Sequence, residues 1–130
     1  MKVLQPADLA PAKGYANGIE CEGVLVFVSG QIGWDAERRI VSGSFSDQAH
    51  QALRNVVAVL AEAGAGPGHI ARMTWYVTDK REYLAEQRAL GAHYRDVMGR
   101  HFPAMSVVEV SGLLEEGAKV EIEATAVIPR

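Results

Sequence analysis

One cysteine, five prolines and no long hydrophobic run in 130 residues set the first limits on this chain. A single thiol, Cys21, cannot close an internal disulfide, so the fold rests on its own core and a reducing compartment is expected. No basic cluster or helix start flanks Cys21, which predicts a packed apolar residue and not a reactive nucleophile. Histidine is sparse, and His50, His69, His93 and His101 lack metal-ligand spacing, so no metal site and no cofactor are expected. Basic charge is not in excess. Thirteen Lys and Arg stand against sixteen Asp and Glu, a net charge of −3, which argues against nucleic acid as a partner. The apolar run Val24 to Val28 is far too short to span a bilayer. Pro6 and Pro11 interrupt the stretch where a leader would need continuous apolar residues, so no membrane partner and a cytoplasmic location are expected. There is no Walker-type glycine loop, and Ser29-Gly30-Gln31 lacks the surroundings of a serine-hydrolase elbow.

What remains is an ordinary globular composition, 48% hydrophobic and 22% charged. At this length a single domain over 1–130 is expected, able to bury roughly two-thirds of its unfolded surface. Residues 1–18 read as extended. Ile19 to Glu22 and Val24 to Ser29 read as strands around Gly23, a spacing compatible with a hairpin or a bulge. Five consecutive apolar residues in Val24 to Val28 predict a strand covered on both faces, one of them by another subunit. Ser46 has the chemistry of a helix cap. Behind it Ala49, Leu53, Val56, Val57 and Leu60 recur at helical spacing as far as Gly64. Ile70 to Thr78 alternates as a strand. Asp79 is placed to cap a helix from about Arg81 to Met98, with Tyr83, Leu90, Tyr94 and Val97 as its buried stripe and Gln87 as a break. Ala104 to Val110 and Lys119 to Val127 close the chain as strands. In the last, Val120, Ile122, Ala124 and Ala126 share one face, Glu121 and Glu123 the other. The order β-β-β-α-β-α-β-β predicts an α+β fold of two layers, a sheet covered on one face by two helices.

The residues Pro103-Ala104-x-Ser106-x-Val108-Glu109-Val110 and Glu121-Ile122-Glu123-Ala124, with Ser29-Gly30-Gln31-Ile32, Gln48 to Gly64 and Thr74 to Asp79 upstream, resemble the RidA/YjgF family, formerly the L-PSP endoribonuclease family. The resemblance covers nearly the whole chain. It implies a chorismate-mutase-like fold and a homotrimer whose sheets meet in a central β-barrel, with small-molecule sites in the clefts between subunits. It implies a cofactor-free deaminase of reactive enamines or imines. Glu121 matches the glutamate that positions the hydrolytic water, a catalytic role, while Glu109 and Glu123 read as structural. Tyr15 matches a pocket tyrosine, Gly30 a glycine whose backbone lines the cleft, and Val107 a position often held by cysteine or threonine.

One position departs. Members that hydrolyse imines of ordinary amino acids carry arginine after Pro-Ala, where this chain has Met105. A thioether cannot make the paired hydrogen bonds that a guanidinium gives a carboxylate, so weak or no activity on ordinary 2-imino acids is expected. Met105 either fills space or opens the site to an apolar or differently charged ligand. Gln87 and Arg88 fall where a neighbouring subunit's helix would approach, and Arg88 could supply the missing cation. Two other readings stand beside the deaminase: a non-catalytic metabolite-binding protein using the same cleft, and an endoribonuclease, which the net acidity and the lack of a basic or aromatic RNA platform disfavour.

Overall fold

A computed structural model describes all of residues 1–130. Its main sheet has four strands: β3 (Val24–Ile32), β4 (Ile70–Val77), β5 (Ala104–Glu109) and β6 (Val120–Ile128), in the order β3-β6-β4-β5. β6 runs antiparallel to both neighbours, and β4 and β5 are parallel. A separate ribbon pairs β1 (Lys2–Leu4) with β2 (Gly18–Glu20). The helices α1 (Phe45–Ala61), α2 (Lys80–Ala85) and α3 (Gln87–Met98) cover one face of the sheet, and a short 3-10 turn, Pro67–His69, leads into β4. This is the expected two-layer α+β arrangement. No helix is long and apolar enough to cross a membrane.

Alternation fixes which side chains face the helices. Val120, Ile122, Ala124 and Ala126 of β6 are buried with Met73, Trp75 and Val77 of β4 against Leu53, Val56 and Leu60 of α1. The opposite face has no cover within the chain. Phe27 is 73% exposed there and Leu25 56%, so the strand read as covered on both faces is covered on one.

Four local expectations are corrected. The segment near residue 20 does not pair with the strand after Gly23; it pairs with the N-terminus, so no hairpin forms. Cys21 is exposed, not packed. The second helix is broken at Glu86, whose φ/ψ of −105°/23° leaves the helical range. The break has a use: the Glu86 carboxylate accepts a hydrogen bond from the Ser46 backbone N–H at 3.2 Å, placing negative charge at the start of α1 where the helix dipole favours it. Ser46 is therefore inside α1. The cap is Ser44, whose hydroxyl accepts from the Asp47 N–H at 3.3 Å.

The approach to β6 is pinned by one buried amide. Gln48 is fully buried; its Nε2 donates to the carbonyls of Ser42 and Gly117, and its Oε1 accepts from the Lys119 N–H at 2.8 Å. Gly33 lies against this residue. A Cβ on Gly33 would stand 2.5 Å from the Gln48 Cα, a backbone contact that cannot swing away. Gly33→Ala is therefore expected to destabilise the fold by about 1–3 kcal/mol or more, the range for overpacking a core. Denaturant unfolding measures it, and an unchanged midpoint would contradict the contact.

Candidate functional site

Glu121 and Glu123 stand on the uncovered face of the sheet, because β6 pairs Glu121 with Tyr76 and Glu123 with Thr74. Glu123 is held in place: the Tyr76 hydroxyl donates to its Oε1 at 2.7 Å. That bond, helped by desolvation and the nearby negative charge of Glu123 and Glu121, pushes the Tyr76 phenol above its usual pKa, against a smaller opposing effect of Arg72. Tyr76 thus stays a donor. Glu109 is structural too, accepting from the Lys80 N–H at 2.8 Å at the start of α2.

Glu121 takes no part in the Tyr76 bond and is packed against Gly30 instead. The register of β3 on β6 shifts between Val28 and Gln31, a bulge that lays the Gly30 backbone beside the carboxylate. A Cβ on Gly30 would lie 2.6 Å from Glu121 Cδ and Oε2. Only glycine allows this approach without moving the acid. A shallow depression of about 420 Å³ opens nearby on the same face between Phe27, Ser29, Arg72 and Glu123. Glu121 is not among the residues lining it.

The other matched residues gather elsewhere. The N-terminal segment runs along the free edge of β5, with the Ala16 N–H donating to the Pro103 carbonyl at 3.0 Å and Ala16 bridged to Ala104. This sets Tyr15 beside Met105. β5 pairs Met105 with Met73 and Val107 with Trp75, so Met105 and Val107 turn toward the helices. Tyr15, Met105 and Gln87 line one pocket of about 340 Å³ between α3 and the sheet, walled by Trp75, Tyr83 and Tyr94. Trp75 is 1% exposed, and its indole N–H donates to no acceptor. Burial pushes the Tyr94 hydroxyl above its usual pKa, and that group donates to the His101 carbonyl at 2.7 Å.

The candidate residues therefore form two groups on opposite faces of one sheet, Gly30 with Glu121 and Tyr15 with Met105. Val107 is half-buried against the core and has no place beside Glu121. Arg88 is exposed on α3 and lines neither cavity of its own chain. The cations that share cavities with Met105 are Arg72 at one end of β5 and Lys13 and Arg95 on the helix side. Arg95 and Phe102 were not singled out by sequence. The spacing of Tyr83, Gln87, Leu90 and Tyr94 at three and four residues did mark that wall, although it read as a core stripe.

The profile of one family, described as endoribonuclease L-PSP, matches residues 5–128. The 2-iminobutanoate/2-iminopropanoate deaminase of Salmonella typhimurium is 37% identical over 125 residues, which span 94% of this chain and 91% of that protein. Among solved structures, YyfB from Yersinia pestis, a member of the conserved Rid protein family of unknown function, superposes with a TM-score of 0.86 at 29% identity, covering 98% of each chain. Escherichia coli TdcF with bound serine superposes with a TM-score of 0.68 at 32% identity, covering 98% of this chain and 99% of that one.

Proposed function

As the chain belongs to the endoribonuclease L-PSP family, the RidA/YjgF proteins, we propose that it is a deaminase that hydrolyses a reactive imine or enamine in clefts between the subunits of a homotrimer. The observation that carries this reading is the division of the matched residues between the two faces of the sheet. No single chain brings Glu121 to Tyr15 and Met105. The reading requires a neighbouring chain to supply the missing group, and the exposed Phe27 and Leu25 on the uncovered face offer apolar surface for an assembly. The similar deaminase from Salmonella typhimurium supports the substrate class by its name.

The chemistry asked of the site is small. An imine and one water give a carbonyl compound and ammonia. The Glu121 carboxylate holds the water and accepts its proton as the oxygen attacks the imine carbon. The same proton then passes to nitrogen to give a carbinolamine; its hydroxyl proton is next moved to the amine through Glu121, and the carbon–nitrogen bond breaks to leave the carbonyl and ammonia. Gly30 keeps the acid in place by leaving it room against the β3 backbone.

Met105 sets the expected limit. Hydrogen bonds to a charged group contribute about 1.5–3 kcal/mol, and their loss weakens carboxylate binding by about ten- to over a hundredfold. The test is to generate 2-iminobutanoate in situ with a deaminating enzyme and follow ammonia release. Wild type should be slow and Met105→Arg faster in kcat/KM by about tenfold or more. Wild-type activity equal to that of an arginine-bearing relative would overturn this account of Met105. Serine bound to the similar TdcF favours a second reading, a carrier that binds a small metabolite and leaves it intact; ligand-induced stabilisation without turnover would support it.

A further inference from the structure

The pocket between α3 and the sheet has a composition of its own. Tyr15, Trp75, Tyr83, Tyr94 and Phe102, five of the chain's nine Phe, Trp and Tyr residues, line it. Its volume of about 340 Å³ falls within the roughly 300–1,000 Å³ of small-molecule sites. Two features point to a ligand and not to a gap in the core. The first is the Trp75 indole N–H, fully buried in the wall and without an acceptor, whereas buried donors are almost always paired. The second is charge. Lys13 and Arg95 stand at the pocket with no carboxylate among its lining residues, in a chain whose net charge is −3. Neither cation enters an ion pair within the chain.

The absence of a side chain at Gly91 shapes the opening. Gly91 lies one helical turn before Arg95, and a Cβ there would stand 3.4 Å from Arg95 Nη1. The guanidinium therefore lies over the space that glycine leaves, at the edge of the aromatic walls. Met105 closes the opposite side with a thioether, which packs well on aromatic rings.

We infer that this pocket takes a flat, ring-bearing carboxylic acid, its ring among the aromatic walls beside Met105 and its carboxylate at Arg95 and Lys13. Its use as part of a substrate rests on the deaminase reading; the binding does not. The substitution at Met105 is then an exchange of anchors. A small imino acid loses its guanidinium at Met105, while a larger aromatic one gains an apolar wall there and finds its cation on α3.

Phenylpyruvate and 2-oxobutanoate separate the possibilities, since both are 2-oxo acids and only one carries a ring. Calorimetric titration of the full-length protein should show phenylpyruvate binding about tenfold or more tightly, from burial of the ring. Arg95→Gln should weaken it by about tenfold or more, the effect of losing a charged hydrogen bond. Gly91→Leu should block it while the melting temperature holds. Equal affinity for the two acids in wild type overturns the inference, as does unchanged phenylpyruvate binding in Arg95→Gln. Should Gly91→Leu fail to fold, those two measurements decide alone. Both probes are carbonyl products that bind without turnover. A failure here leaves deamination of small imines standing, and a protein that binds phenylpyruvate yet releases no ammonia from any imine sinks the deaminase reading alone.

Discussion

Glu121→Ala is expected to lower kcat/KM for imine hydrolysis by about 10²–10⁴-fold, the usual worth of a positioned acid–base group, while the protein stays folded and assembled. The side chain is partly exposed on the uncovered sheet face and lies outside the core, so its removal deletes a group that handles a proton without opening a cavity. Glu121→Gln distinguishes that role from mere shape. It keeps the length and one hydrogen-bond acceptor but cannot accept a proton, and it should be nearly as slow as alanine. Gly30→Ala approaches the same atom from the other side. Its Cβ would stand 2.6 Å from Glu121 Cδ, and the flexible carboxylate would swing away. Activity should fall with little loss of stability. If Glu121→Ala retains wild-type ammonia release over the background of unassisted hydrolysis, Glu121 is not the base and the mechanism fails.

The same face shows what the sequence could and could not tell. Period-two alternation in Val120 to Ala126 separated a buried face from Glu121 and Glu123, because register in a half-covered strand is set by which side chains meet the core. α1 was legible for a similar reason: Ala49, Leu53, Val56 and Leu60 form a continuous stripe, and all are buried. The misplaced features depend on contacts between distant segments. Ser46 looked like a cap by its own chemistry, but its N–H is satisfied by Glu86, forty residues away, and that tie coincides with the break between α2 and α3. No local preference announces it. The aromatic pocket was hidden in the same way. Tyr15, Trp75, Gly91 and Met105 are scattered along the chain, and they meet only because the N-terminal segment runs along the edge of β5. Family likeness marked Tyr15 and Met105 individually; that they share a cavity with Arg95, and that Glu121 lies on the other face of the sheet, required the fold.

That division makes assembly the second decisive quantity. Phe27→Glu is expected to convert the protein from trimer to monomer and to abolish turnover at the same time. Phe27 is 73% exposed, with Leu25, Val24 and Val108 also exposed on the strands of the sheet, so a charge at position 27 disturbs little inside the chain. In a joined sheet-to-sheet contact it would be a buried, unpaired carboxylate, which costs several kcal/mol per copy and is repeated at each of the interfaces. Sedimentation velocity reads the assembly, and circular dichroism reads the fold. Coupling between the two losses is the informative part. A folded Phe27→Glu monomer keeps Glu121 beside Gly30 and Tyr15 beside Met105 but no longer brings one pair to the other, so activity should disappear without damage to either half. A wild-type protein that sediments as a monomer, or a Phe27→Glu monomer that still hydrolyses imines at the wild-type rate, would mean that one chain suffices and that the cleft between subunits is not where the reaction occurs.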